Sequence, residues 1–216
     1  MTEPDFLRST RASYDAVAAE YAKIFHHELA GKPLDRAMFA AFAELVRAGG
    51  GPVADIGSGP GRVTEHLHGL GLEVFGVDLS PEMVALARRT HPGLRFEVGS
   101  MLALDLPDGG LGGLVANYSI IHLPEDRLPG AFAEFHRVLA PGGHLLVAFQ
   151  VGDERKHLTE RFGRRIDLEF HRRRPDHVAD LLVKAGFAMT AQLVREPMEG
   201  STEPTQQACL LARRPA

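Results

Sequence analysis

The sequence predicts an α/β fold built on a largely parallel sheet, and three observations carry that prediction. Two short apolar runs, Val53–Ile56 and Val74–Asp78, bracket a glycine-dense turn and a helical stretch. Strand-like and helix-like segments then alternate as far as Val151, the pattern that sets parallel strands side by side through right-handed crossovers. Two further β-like runs, residues 187–195 and 206–213, flank a loop containing Pro and Gly and read as an antiparallel hairpin.

Taken in order, residues 1–9 read as a loose end and residues 10–48 as helical. Tyr14, Val17, Ala18 and Tyr21 share one face, and Met38, Phe39, Phe42, Leu45 and Val46 share another. Gly49-Gly50-Gly51-Pro52 separates this segment from the first strand. The strand at 53–56 runs into Gly57-Ser58-Gly59-Pro60-Gly61, a helix covers 62–70, and the second strand ends in Asp78. In Leu79-Ser80-Pro81-Glu82-Met83 the next helix starts: Ser80 suits the cap, Pro81 the first turn and Glu82 the positive helix end. A third strand and its exit loop occupy 96–101, and a fourth strand 113–118. The helix at 124–139 buries Phe132, Phe135, Val138 and Leu139 and stops at Pro141-Gly142. Residues 152–174 are polar and basic with weak periodicity, and the helix at 175–185 is stopped by Gly186.

A strand, a glycine turn, a helix and a second strand ending in an acid form a nucleoside-cofactor site. The glycines let the backbone approach the ligand, and the acid accepts hydrogen bonds from ribose hydroxyls. A dinucleotide turn is spaced G-x-G-x-x-G. Here Gly57, Gly59 and Gly61 are spaced G-x-G-x-G, with Arg62 next and Asp55 just ahead. This arrangement resembles motif I of the class I S-adenosylmethionine-dependent methyltransferases, D/E-x-G-x-G-x-G. The D-x-S-x-x-M run from Asp78 to Met83 and the R-V-L-x-P-G-G run from Arg137 to Gly143 are similar to further landmarks of that family. The resemblance covers roughly residues 10–213. It implies a Rossmann-like seven-stranded sheet, mostly parallel, with an antiparallel C-terminal hairpin, helices on both faces and an N-terminal helical cover. It also implies a single domain with a cap (1–50), a cofactor-binding core (51–151), a variable insert or lid (152–174) and a C-terminal helix and hairpin (175–216). The implied cofactor is S-adenosyl-L-methionine, with S-adenosyl-L-homocysteine as product. A NAD-dependent oxidoreductase is disfavoured by Arg62 and by the lack of a recognisable Tyr-x-x-x-Lys.

Ligands of open α/β sheets bind beyond the carboxyl ends of the strands. Four loops qualify. The first holds Gly57, Ser58, Gly59 and Gly61; side chains at Gly57 or Gly59 would collide with the methionine part of the cofactor, whereas Gly61 serves helix packing as readily. Asp55, before the turn, either orients the turn and the cofactor's ammonium end or satisfies loop amides. The second loop holds Asp78, the ribose ligand, followed by Leu79 and Met83. The third holds Ser100 and Met101; many relatives place an Asp where Ser100 stands, so adenine recognition rests here on groups near Met101. The fourth holds Asn117, Tyr118, Ser119 and His122. His122 is the best placed candidate base, with a pocket-shaping histidine as its alternative. His171, in the insert, is a second candidate that would reach over the acceptor from the lid; His26 and His27 are weaker. In similar small-molecule methyltransferases an N-terminal helix closes over the cofactor and offers it a tyrosine; the resemblance makes Tyr14 and Tyr21, seven residues apart on one helical face, the candidates for that role.

The eleven histidines show no metal-ligand spacing, and the lone Cys209 forms no disulfide framework. A net charge of −4 gives no general attraction for nucleic acid or anionic membrane. The chain has no tryptophan, and Asn117-Tyr118-Ser119-Ile120 lacks the N/D-P-P-Y/F motif of nucleic-acid amino-methylating enzymes. The basic run Arg161, Arg164, Arg165 and Arg172-Arg173-Arg174 suggests an anionic acceptor or a solvated face. No signal peptide or membrane-spanning run is visible, which places the expected protein in the cytoplasm, as monomer or homodimer. The expected reaction is methyl transfer to a small-molecule acceptor by in-line displacement. An RNA or protein methyltransferase, or a cofactor-binding protein without methyl transfer, is the alternative.

Overall fold

A computed structural model describes residues 4–25, 27–201 and 203–216. Among the described residues nine strands and six α-helices follow one another: α1 (Asp5–Phe25), α2 (Pro33–Gly49), β1 (Val53–Ile56), α3 (Arg62–Gly69), β2 (Val74–Asp78), α4 (Pro81–Thr90), β3 (Arg95–Val98), β4 (Leu111–Asn117), α5 (Leu128–Val138), β5 (Leu139–Gln150), β6 (Arg155–Arg161), β7 (Arg164–His171), α6 (Pro175–Lys184), β8 (Ala188–Arg195) and β9 (Gln207–Arg213).

Seven strands form one sheet in the order β3-β2-β1-β4-β5-β9-β8. The strands β1 to β5 pair in parallel; β9 runs antiparallel to β5 and to β8. This is the Rossmann-like sheet with an antiparallel C-terminal hairpin that the sequence implied. Every residue of β1 is buried, as a strand covered on both faces must be. Its side chains alternate: Ala54 and Ile56 pack with Phe132, Phe135 and Val178 of α5 and α6, while Val53 packs with Phe39, Phe42 and Val46 of α2 and Leu67 of α3. The direction of winding reverses between β1 and β4, which opens a crevice at their carboxyl ends.

Local sequence explains most boundaries. Ser80 caps α4 by accepting the Met83 N–H at 3.1 Å, with Pro81 in the first turn. The helix expected from 124 begins only at Leu128, after a 3-10 turn at Glu125–Arg127, because Pro129 lacks an N–H and fits only the first turn. Residues 5–9, read as loose, are the start of α1. Leu7 is buried there, and the Ser9 hydroxyl donates to the Asp167 carbonyl at 2.8 Å, so tertiary packing extends the helix. The insert contains the two-stranded hairpin β6–β7, turned by Phe162 and Gly163, both at positive φ as a tight hairpin turn requires. Five of the six β6–β7 register pairs contain an exposed residue, and only β7 alternates, with Ile166, Leu168 and Phe170 buried; β6 is polar throughout apart from Leu158, so its partner strand carries no apolar signal of its own.

Long-range ion pairs bind the N-terminal cover to the C-terminal hairpin. Arg195 holds Asp35 through Nε at 2.7 Å and Glu203 through Nη1 at 2.7 Å, and Lys32 joins Glu203 to Glu28 at 2.8 Å each. Replacing Arg195 by Met leaves Asp35 enclosed without its partner and Glu203 with Lys32 alone. A loss of about 3–5 kcal/mol is expected, as for other broken buried pairs, read as a lower urea midpoint with unchanged slope.

Candidate active site

The crevice at the ends of β1, β2 and β4 opens into a cavity of about 260 Å³. Its floor is the glycine turn; its roof is α1 and the β6–β7 hairpin. Of the residues expected at the site, Tyr14, Tyr21, Asp55, Gly57, Ser58, Gly59, Asp78, Leu79, Met83, Ser100, Met101, Asn117, Tyr118, Ser119 and His122 all line it. Gly61 and His171 do not.

The three glycines divide the work differently from the expectation. A Cβ on Gly57 would lie 2.2 Å from the Ser119 Cβ, so this glycine is required by the close approach of the β4 loop rather than by a ligand. A Cβ on Gly61 would meet Phe96 at 2.7 Å, which makes it a helix-packing residue. Gly59, at φ +54°, meets nothing within 4 Å. Its missing side chain leaves room inside the cavity itself.

Asp78 stands at the end of β2 with one oxygen accepting the Gly59 N–H at 2.7 Å and the other the Ser80 N–H at 2.8 Å. Burial pushes its carboxyl up to about 6 against those two hydrogen bonds. Two of the roughly four acceptor positions of a carboxylate are thus taken, and the rest remain for a ligand. Asp55 is 1% exposed and accepts the Thr64 hydroxyl at 2.7 Å; burial raises it to about 7, offset in part by that bond. It ties the turn to α3. The hydroxyls of Ser58 and Ser119 are buried and have no hydrogen-bond partner among the described residues. Tyr118 sits at φ +54°, unusual for a residue with a side chain, where the chain leaves β4 for the cavity. Room at Gly59, unfilled acceptor positions on Asp78 and unpartnered hydroxyls together fit a nucleoside cofactor with an amino-acid tail.

His122 is held from both sides. Its Nδ1 lies 2.9 Å from the Glu169 carbonyl, which only accepts, so Nδ1 carries the proton. Its Nε2 then accepts the Tyr14 hydroxyl at 2.7 Å. Burial, with the nearby charge of Arg161, pushes its pKa down to about 4, so the ring is neutral at ordinary pH. Tyr14 stacks edge-on against Tyr21 and His122, which closes α1 over the site.

His171 does not reach the cavity, contrary to expectation. Phe170 points into it, and successive strand residues face opposite ways, so His171 faces away from the cavity, largely covered, beside Glu169 at 3.4 Å. His27 is exposed and away from the cavity; His26 lies outside the described residues. Among the described residues no group of three or more His, Cys, Asp or Glu could hold a metal ion. No helix among them is long and apolar enough to cross a membrane. Sequence reading missed Phe170, Glu28, Lys32 and Glu203 as cavity residues; they come together only through the tertiary fold.

Residues 53–143, which span the glycine turn, Asp78 and the Pro-Gly-Gly turn, match the family described as a methyltransferase domain. Over these residues the chain is similar to methyltransferases that use S-adenosylmethionine, in line with the motifs at the glycine turn and Asp78. It is 32% identical over 190 residues to a malonyl-[acyl-carrier protein] O-methyltransferase of Halorhodospira halophila, covering 83% of this chain and 61% of the relative. It is 35% identical over 92 residues to a demethylmenaquinone methyltransferase of Chlorobaculum parvum, covering 42% and 37%. The fold superposes on the 1,6-didemethyltoxoflavin-N1-methyltransferase of Burkholderia thailandensis with a TM-score of 0.72 at 22% identity, covering 100% of this chain and 92% of that one. Across the first curated relatives the chain spans from 37% to 66% of their length.

Proposed function

We propose that this protein is a class I S-adenosylmethionine-dependent methyltransferase that moves the methyl group of S-adenosylmethionine to a nucleophilic atom of a small-molecule acceptor by in-line displacement, with S-adenosylhomocysteine as the leaving product. The observation that carries this reading is a single cavity that joins the glycine turn and Asp78 to a chamber roofed by α1 and the β6–β7 hairpin. A covered chamber suits a small acceptor better than a macromolecule. The net charge of −4 and the absence of tryptophan give no support to a nucleic-acid partner. The whole chain acts as one domain in this reading, with residues 1–50 as the cap and 152–174 as the lid, in the cytoplasm and as monomer or homodimer.

The sulfonium supplies an already activated methyl group. The protein's task is to bind, align and exclude water. Asp78 holds the ribose hydroxyls; Gly59 leaves space for the amino-acid tail; Asp55 fixes the turn through Thr64; Leu79, Met83, Ser100 and Met101 flank the nucleoside. Ser58, Asn117, Tyr118 and Ser119 form the wall beyond β1 and β4, and Tyr14 and Tyr21 cover the site. His122, neutral and with Nε2 turned toward the chamber's Tyr14, accepts the acceptor's proton where one must leave, directly once Tyr14 shifts or through the Tyr14 hydroxyl.

Incubating the protein with S-adenosylmethionine and a panel of small acceptors, with mass-spectrometric detection of methylated product, tests the reading. Tight cofactor binding without methylated product across a broad panel would favour a binding protein of the same fold instead.

Cofactor affinity carries a pH signature. Ribose hydroxyls donate to the ionised Asp78, so binding lowers a carboxyl that the free protein holds at about 6. Below that value binding must expel a proton. Affinity for S-adenosylhomocysteine is expected to fall by up to about tenfold per pH unit below pH 6 and to be flat above pH 7, by calorimetric titration.

A further inference from the structure

We propose that the acceptor is a compact carboxylic acid with an apolar body, and that Arg161 holds its carboxylate; this rests on the methyl-transfer reading above. Arg161 ends β6, is half-buried and lines the cavity. Its guanidinium lies against four rings, at 5.8 Å from the centroid of Tyr21, 5.6 Å from Phe25, 5.0 Å from Phe162 and 5.9 Å from Phe170. These contacts are electrostatic attractions to ring faces. They do not satisfy its five N–H donors, which lie in the plane and form the fork that matches a carboxylate.

The other cavity charges are accounted for. Lys32 is paired with Glu28 and Glu203, and Arg62 with Glu28 at 2.7 Å. Asp78 is bonded by two backbone N–H groups and Asp55 by Thr64. Of the other insert arginines, Arg155 pairs with Glu169, Arg164 with Glu20 and Arg172 with Glu154, while Arg165, which like Arg161 has no acid within 4.0 Å among the described residues, is exposed and away from the cavity. Arg161 has no carboxylate within 4.0 Å among the described residues. A partly desolvated cation with no counter-ion, walled by aromatic rings, stabilises an anion far better than a solvent-exposed arginine would.

Position assigns that anion to the acceptor rather than to the cofactor's own carboxylate. Burial raises the Tyr14 hydroxyl and lowers His122, the charge of Arg161 opposes the first and adds to the second, and Phe170 stacks edge-on against His122 at 4.8 Å. Arg161 therefore borders the same chamber as the candidate base. The cation next to the glycine turn is Arg62, which already contacts Glu28.

The test uses the full chain saturated with S-adenosylhomocysteine and matched pairs of probes: benzoate and benzamide, salicylate and salicylamide, cinnamate and cinnamamide. Calorimetric titration is expected to show at least one acid binding about tenfold or more tighter than its amide, the value of one charge-assisted pair. Arg161→Gln is expected to remove that preference while leaving S-adenosylhomocysteine affinity within about threefold, and Arg161→Lys, which keeps the charge but not the fork, to retain part of it. Acids and amides that behave alike, or a preference that survives Arg161→Gln, would overturn the proposal. So would a loss of about tenfold or more in S-adenosylhomocysteine affinity in folded Arg161→Gln protein, since Arg161 would then serve the cofactor. Failure of the unaltered protein to bind S-adenosylhomocysteine is a separate result and strikes the methyl-transfer reading itself.

Discussion

Asp78→Ala is expected to lower S-adenosylhomocysteine affinity by between about tenfold and a thousandfold. The upper figure follows from two hydrogen bonds between ribose hydroxyls and a charged acceptor at about 2 kcal/mol each, near the lower end of what such bonds contribute. The lower figure allows for partial replacement by water. The carboxylate also accepts the N–H groups of Gly59 and Ser80, so its loss relaxes the turn as well as the ribose contact. Gly59→Val separates the two contributions. Its side chain would enter open cavity space, so the fold persists with a cost of about 1–2 kcal/mol for the left-handed backbone, while the ligand's room is filled. Gly57→Val would instead drive into Ser119 and is expected to destabilise the protein outright. Calorimetry on the folded variants and a thermal melt on each check the set. Unchanged affinity in Asp78→Ala would remove the ribose assignment.

His122→Ala is expected to lower turnover by about a hundredfold or more on an acceptor that carries an ionisable proton, with S-adenosylhomocysteine affinity nearly unchanged. The pH profile is the more specific readout. With its pKa held down to about 4 by burial, His122 remains unprotonated through the range where a free histidine would titrate. The rate should therefore show no inflection near pH 6.5 and should persist toward pH 5, apart from the loss of cofactor affinity below pH 6 noted above, which saturating cofactor removes. The same shift acts on stability with a definite sign. The unfolded chain takes up a proton at this residue near pH 6.5 and the folded chain does not, so the contribution of His122 is present above pH 6.5 and is lost as pH falls from there toward 4. A His122→Ala rate equal to that of the unaltered protein at every pH would leave the residue a packing role only.

The parts of this molecule that sequence reading reached are those with dense local signals. The β1 strand, the glycine turn, α3 and β2 are contiguous, buried on both faces and punctuated by glycine, so pattern and position agree. Ser80 and Pro81 announce α4 by capping chemistry that acts within four residues. The β6–β7 hairpin was not legible. It is a two-stranded ribbon whose outer face is solvated, and its turn places Phe162 at positive φ, where turn signatures expect Asn or Gly. Once β7 is recognised, the alternation of Ile166, Leu168 and Phe170 turns Phe170 rather than His171 inward; one residue of register separates a ring against His122 from a side chain facing away from the cavity. The pairing of Lys32 with Glu203 and of Arg195 with Asp35 joins opposite ends of the chain, and the isolation of Arg161 is visible only once those pairs are known. The purposes of Gly57 and Gly61 likewise depended on Ser119 and Phe96, which reach them from distant strands.

The central claim is that the glycine turn and Asp78 hold S-adenosylmethionine. Calorimetric titration of the full chain with S-adenosylmethionine, S-adenosylhomocysteine and NAD tests it most directly. The account predicts micromolar binding of the first two and none of NAD; binding of NAD alone would contradict it.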